Sequence, residues 1–229
     1  YVADIRLALP GEEPDYCVPM DLSLFGAGKR DVHFSGIDAR TAWSQISFSD
    51  TAPEVPADKY RPKYHQTPEY GWMNDANGLF YKDGVYHLYY QYNPYAAVWG
   101  NMHWGHSTST DLVHWEHQPV AIYRDAYGHI FSGSTVVDYN NTAGFGAGAV
   151  VAFYSSWNTA REYIQTQCIA YSLDDGQTFI KYEGNPVLVP FDGIKDFRDP
   201  KVFWYEPESK WIMIVSADKE MRFYTSQNL

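Results

Sequence analysis

Asp75 and Asp199 stand in the two segments richest in groups that could act on a sugar, Asn74-Asp75-Ala76-Asn77-Gly78 and Arg198-Asp199-Pro200. Cleaving a glycosidic bond takes a carboxylate nucleophile, a carboxylic acid that protonates the leaving oxygen, and polar groups that hold ring hydroxyls. The two aspartates offer carboxylates, and the Arg198 guanidinium offers donors in a rigid fork. Taken singly, each segment reads as an ordinary turn, since Asn, Asp, Gly and Pro are the usual turn residues. Chemistry requires that something bring them together.

The elements able to do so are repeated. Asn77 to Tyr90, Ser134 to Tyr154 and Pro200 to Val215 each read as a small or polar turn, an apolar strand, a gap and a second strand. Aligning Leu79, Val136 and Val202 puts Asp75, Ser132 and Arg198 at one matching position, with Asp199 one residue closer to the reference. The hairpins between copies repeat too, at Ser109-Thr110-Asp111-Leu112, Ser172-Leu173-Asp174-Asp175-Gly176 and Ser226-Gln227-Asn228-Leu229. The middle one resembles an Asp-box, a turn that fixes register. A period of about 60 residues with about four strands per copy predicts β-propeller blades, the other all-β reading being a sandwich. As blades, the copies set Asp75, Ser132, Arg198 and Asp199 at one end of the innermost strands, around a shared axial cavity. Two blades and part of a third fit between Tyr60 and Leu229, which leaves sheet edges open.

Composition narrows the partners. A net charge of -11 repels phosphate backbones and anionic membranes, so no nucleic-acid partner is expected, whereas a neutral saccharide meets no such penalty. No apolar run approaches the ~20 residues of a membrane-spanning helix. Aromatic residues number 6 among residues 1–59 and 34 among residues 60–229, and Pro53, Pro56 and Pro62 interrupt the chain between them. We therefore expect a small β accessory region over 1–59, with short runs at Val32-His33-Phe34 and Ile46-Ser47-Phe48, followed by the repeat-bearing region over 60–229. Cys17 and Cys168 read as two separate buried thiols. His103, His106, His114 and His117 form the nearest histidine cluster, but strand residues three apart face opposite sides, so no metal is expected.

Five motifs occur in order: Trp72-Met73-Asn74-Asp75-Ala76-Asn77-Gly78, Tyr90-Gln91-Tyr92-Asn93-Pro94, Trp99-Gly100-Asn101-Met102-His103-Trp104-Gly105-His106, Phe131-Ser132-Gly133-Ser134 and Phe197-Arg198-Asp199-Pro200. Together, across Pro62 to Leu229, they resemble glycoside hydrolase family 32, the β-fructofuranosidases, which include levanases, inulinases and invertases. The resemblance implies an all-β fold, a five-bladed β-propeller, of which this chain holds about the first two to three blades. It implies that Asp75 is the nucleophile that attacks the anomeric carbon of a β-linked fructosyl unit, with net retention. Asp199 would bond sugar hydroxyls and stabilise the transition state, with Arg198 beside it. Trp72, Asn74, Gln91, Trp99, Phe131 and Ser132 match positions that line the fructose pocket. The implied partner is a fructose-containing oligo- or polysaccharide, with no cofactor. The function expected of the parent protein is retaining hydrolysis of β-fructofuranosidic bonds in sucrose, inulin or levan; the alternative is a non-catalytic fructan-binding protein. A polysaccharide substrate points to an extracellular or periplasmic setting.

The sequence departs from the family pattern twice. Ala76 replaces a usual proline, which loosens the turn without removing a reacting group. More consequentially, the family's general acid is a Glu in a Glu-Cys pair, and no Glu-Cys occurs here. Glu206, Glu208 and Glu220 follow the Arg-Asp-Pro motif, and none matches the acid's surroundings. The start at Tyr1 and the missing pair together suggest a trimmed chain, expected to be inactive or nearly so by itself.

Overall fold

The structure is a computed structural model that describes residues 59–94, 97–125, 127–158, 164–191 and 193–229, with the backbone of three earlier strands. Those strands are β1 (Val2–Leu7), β2 (Tyr16–Asp21) and β3 (Ile46–Ser49). They form one antiparallel sheet in the order β2-β1-β3. The expected run at Ile46-Ser47-Phe48 falls within β3, while Val32-His33-Phe34 and the Cys17 side chain lie outside the described residues.

Three further antiparallel sheets follow in chain order. The first holds β4 (Trp72–Lys82), β5 (Val85–Asn93), β6 (His103–Ser109) and β7 (Glu116–Ile122). The second holds β8 (His129–Asp138), β9 (Ala149–Asn158), β10 (Ile164–Ser172) and β11 (Ile180–Lys181). The third holds β12 (Phe197–Tyr205), β13 (Lys210–Ala217) and β14 (Glu220–Ser226). Each sheet is a simple meander, and β8 packs between β4 and β12. This is the stacking of propeller blades by their inner strands, not of a two-sheet sandwich. Among the described residues no helix is long and apolar enough to cross a membrane.

The sequence explains these strands. Central strands β5, β6 and β9 are covered on both faces and read as long buried runs instead of alternating ones. Tyr89, Trp104, Ile122, Ile130, Tyr154 and Cys168 fill the space between the first two sheets, and Val151, Phe153, Ile169, Val202 and Trp211 fill the next. Aromatic side chains in such a core need partners for their polar atoms. Tyr89 donates its hydroxyl to the Gly176 carbonyl (2.7 Å), Trp104 Nε1 donates to the Phe131 carbonyl (3.0 Å), and Trp211 Nε1 donates to Thr142 Oγ1 (2.9 Å). Each bond crosses from one sheet to its neighbour, so blade packing is directional as well as apolar.

The repeated hairpins serve structure, as expected. Ser109 Oγ accepts from the Leu112 amide (2.8 Å), Ser172 Oγ from the Gly176 amide (2.8 Å), and Ser226 Oγ from the Asn228 amide (3.3 Å). Asp111 and Asp174 complete the first two turns by accepting from the amides of His114 and Thr178.

The repeat register matches the one read by hydrophobicity in the first two copies and differs in the third. The Gly133 amide donates to Asn77 Oδ1 (3.3 Å), and the Val202 amide donates to Ser134 Oγ (2.9 Å). The ladders resume at Ala76, Gly133 and Lys201, which makes Asn77, Ser134 and Val202 the equivalent positions, and all three are buried. Leu79 and Val136 keep this register, whereas Val202 matches Ser134 and not Val136, so only the third copy is displaced from the hydrophobic alignment.

Candidate active site

Each inner strand breaks register at the same level, and the candidate residues occupy the breaks. In β4 the ladder runs from Met73 opposite Tyr92 to Ala76 opposite Tyr90, which leaves Asn74 and Asp75 against the single residue Gln91. In β8 it steps from Ile130–Ser156 to Gly133–Tyr154, so Phe131 and Ser132 face Ser155. In β12 it steps from Arg198–Ser216 to Lys201–Ile214, so Asp199 and Pro200 face Val215. A bulge puts two residues where one would fit and re-aims a side chain that regular pleating would direct elsewhere. Asn74, Phe131 and Asp199 occupy the first bulge position; Asp75, Ser132 and Pro200 occupy the second. Arg198 lies just outside its bulge, so Asp199 is the residue of β12 that corresponds to the first-sheet pair.

The bulges bring the carboxylates together. Asp75 is exposed at the centre, and its Oδ2 accepts a 2.8 Å hydrogen bond from the Ser132 hydroxyl. Asp199 adopts φ 62°, a left-handed conformation that aspartate tolerates better than most residues. Its carboxyl is held above the usual range, first by partial desolvation and then by the negative charge of Asp75, against the lowering effect of Arg198. Arg198 Nε lies 3.8 Å from Asp199 Oδ2, and the guanidinium also donates to Asp196 Oδ1 at 2.5 Å. Two carboxylates from different sheets thus share one field, with a cation beside the second.

The remaining expected residues fall into three settings. Asn74 is half-buried, and its Oδ1 accepts from Trp72 Nε1 at 2.9 Å, which orients both at the rim of β4. Trp99, half-exposed, makes a wall with Phe131: ring centroids lie 6.2 Å apart. Gln91, opposite Asn74 and Asp75 in the ladder, is 2% exposed, with its amide nitrogen donating to the Ile130 carbonyl (2.9 Å). This bond links β5 to the residue just before the β8 bulge.

Other residues join the site that the motifs did not single out. Trp157 packs on Phe131 (5.0 Å), Trp99 (5.8 Å) and His129 (5.2 Å), which extends the aromatic wall across the second sheet. Burial and Arg124 lower the His129 pKa to about 4, and its Nδ1 accepts from the Met102 amide, so the ring is a neutral platform. The one available signal was Ser155-Ser156-Trp157-Asn158, a polar-aromatic ending to an otherwise apolar strand. The histidine cluster separates: His106 stacks on His87, His103 meets Tyr123 edge-on, and His114 pairs with Asp111. Of the late glutamates, Glu206 accepts from Trp204, Glu208 pairs with Lys210, and Glu220 pairs with Arg222.

Paired carboxylates, a guanidinium and an aromatic wall around one axial space suit binding and displacement at a sugar ring. Residues 65–229 match the sequence profile of the glycosyl hydrolases family 32 N-terminal domain. The chain is 58% identical over 170 residues to the levanase of Bacillus subtilis (strain 168), covering 74% of this chain and 25% of that protein. It is similar in structure to the exo-inulinase of Aspergillus awamori, at 42% identity and a TM-score of 0.69, covering 75% of this chain and 38% of that one. It is also similar to the fructofuranosidase of Schwanniomyces occidentalis complexed with fructose, at 48% identity and a TM-score of 0.68, covering 73% of this chain and 34% of that one. The chain thus spans about a quarter to two fifths of these relatives. A match over residues 65–229 that contains all three bulged strands, backed by these likenesses, shows that the three sheets are part of the family's propeller and that this chain belongs to glycoside hydrolase family 32.

Proposed function

We propose that these blades carry the nucleophile side of a retaining β-fructofuranosidase site acting on fructans or sucrose. Asp75 attacks the anomeric carbon of a fructosyl unit, the glycosidic oxygen departs with a proton from a separate acid, and water then cleaves the fructosyl ester of Asp75 with net retention. Asp199 and Arg198 bond the sugar hydroxyls and favour the transition state. Trp72, Asn74, Gln91, Trp99, Phe131 and Ser132 line the pocket. The single observation that carries this reading is that β4, β8 and β12 break register at one level, where Asp75 and Asp199 stand, with Ser132 bonded to Asp75.

In this reading the acid lies outside residues 1–229, because Glu206, Glu208 and Glu220 are each engaged with a neighbouring side chain. Residues 1–59 form an accessory region separate from the blades over 60–229, a division supported by β1, β2 and β3 making one sheet with one another. The exo-inulinase of Aspergillus niger is named extracellular, and a polymeric substrate favours an extracellular or periplasmic setting here.

The test measures fructose released from sucrose, inulin and levan by the protein carrying this chain. Turnover that falls about 10⁴-fold or more in Asp75→Asn supports the nucleophile assignment, by the scale of nucleophile removal in other covalent enzymes. Levan binding without any release of fructose would favour a non-catalytic binding protein. Turnover at full rate by residues 1–229 alone would overturn the placement of the acid.

A further inference from the structure

We infer that Ser155 and Gln167, both fully buried in the second sheet, are positioning residues for Asp199, holding β12 in the bulged conformation that presents its carboxylate to the sugar. The inference rests on the role proposed above for Asp199.

Four groups form one chain of hydrogen bonds. The Asp199 amide donates to Ser155 Oγ at 3.0 Å, Ser155 Oγ donates to Gln167 Oε1 at 2.9 Å, and Gln167 Nε2 donates to the Phe197 carbonyl at 2.7 Å. Both ends of the chain are backbone groups of fixed polarity. A carbonyl only accepts, so the Gln167 amide nitrogen must face Phe197 and its oxygen must face Ser155. An amide N–H only donates, so Ser155 must accept from Asp199 and pass its own proton to Gln167. The direction of every bond is therefore set by chemistry, and one orientation of the Gln167 amide satisfies them all.

This clamp spans Arg198. It grips the backbone on either side, at Phe197 and Asp199, so the guanidinium and the carboxylate are fixed as a unit by a neighbouring sheet. The grip falls on a residue with φ 62°, which a non-glycine residue holds only where its surroundings over-determine it. The main chain of Gln167 is itself held: its backbone N–H donates to the Leu188 carbonyl (2.8 Å), and its backbone carbonyl accepts from the Val187 amide (2.9 Å). Both side chains have 0% exposure, so water cannot replace a lost partner cheaply. Neither residue touches the axial space, and any effect on turnover must pass through β12.

The test uses the protein carrying this chain and the variants Ser155→Ala and Gln167→Glu, each alone and combined with Asp199→Asn. Gln167→Glu keeps the shape and replaces the donor that faces Phe197 with an acceptor. Small misplacements of reacting groups cost up to about 100-fold. We expect each single variant to lower kcat about 10- to 100-fold with little change in KM, and to cost almost nothing further once Asp199 is Asn, because residues acting through one group are non-additive. If Gln167→Glu does not fold, Ser155→Ala, a one-atom deletion, carries the test. The same fold-loss in both backgrounds, or full turnover in Ser155→Ala, overturns the positioning role. Full turnover in Asp199→Asn by itself would instead refute the role of Asp199 on which the inference stands.

Discussion

Ser132 in β8 donates its hydroxyl to Asp75 Oδ2 in β4 across 2.8 Å, so the candidate nucleophile of one sheet is oriented by the next. The bond engages one carboxylate oxygen and leaves the other for the anomeric carbon. A hydrogen bond to a charged group contributes about 1.5–3 kcal/mol, so Ser132→Ala should lower kcat/KM on sucrose or levan about 10- to 100-fold. Thermal melting should stay near that of the unaltered protein, because Ser132 lies at the surface of the axial space. Unchanged kinetics would show that Asp75 does not depend on this contact.

Asp199 should trade stability against activity. Its folded-state pKa is raised, mainly by desolvation, so the folded state holds its proton more tightly than the unfolded chain does. The sign follows from linkage: stability is lost as pH rises from the ordinary carboxylate range through the raised value. Asp199→Asn removes that loss and still tolerates φ 62°. The melting temperature at pH 7 should rise slightly, with the gain shrinking on acidification, while kcat falls about 10²- to 10³-fold, the range for removing one group that stabilises transition-state charge. A variant that is both less stable and fully active would contradict both halves.

Much of this arrangement was legible before any coordinates. The recurrence of turn, strand and hairpin marked out the blades, and setting Asp75 beside Ser132 by repeat position anticipated a real hydrogen bond. Asp199 and Arg198 were harder to tell apart, because the bulge that selects Asp199 is a backbone event with no fixed residue signature. Gln91 illustrates a different limit: its motif does not encode that the amide nitrogen bonds the Ile130 carbonyl of the next sheet, a main-chain group. Ser155 and Gln167 were invisible for a third reason, since their partners are main-chain groups and no side-chain pattern encodes them.

Gly133 follows Ser132 directly after the β8 bulge, and the space around it admits no side chain. A Cβ there would lie 1.9 Å from the Phe153 carbonyl oxygen and 2.8 Å from the Tyr154 Cα, both backbone atoms that cannot swing aside. Gly133→Ala must therefore push β8 away from β9 at the level of Ser132 and Phe131. Forcing atoms into a packed site costs about 1–3 kcal/mol. The melting temperature should drop, and activity should fall even at temperatures where the variant remains folded. Gly84→Ala, where a Cβ would meet nothing within 4 Å, provides the contrast, its cost coming only from φ 88°. Equal kinetic losses in the two variants would remove the special standing of the β8 bulge.

Buried histidines should make this fold acid-sensitive. Burial lowers the pKa of His106 to about 3, aided by the neighbouring His87, and those of His103 and His129 to about 4. All three are held neutral in the core, whereas the unfolded chain protonates them near pH 6.5. Because these folded values are depressed, the unfolded state binds more protons throughout the window from about 6.5 down to 3–4. Stability is then fully present above pH 6.5 and declines as pH falls, by up to about 1.4 kcal/mol per pH unit for each histidine that gains a proton on unfolding. Melting temperatures measured from pH 7.5 to pH 4.5 should fall with increasing steepness below pH 6.5. His103→Gln should flatten that slope even if it lowers stability at pH 7.5, since it removes one of the groups that titrate on unfolding. A melting temperature that stays level or rises between pH 7 and pH 5 would show that these rings are protonated in the folded state.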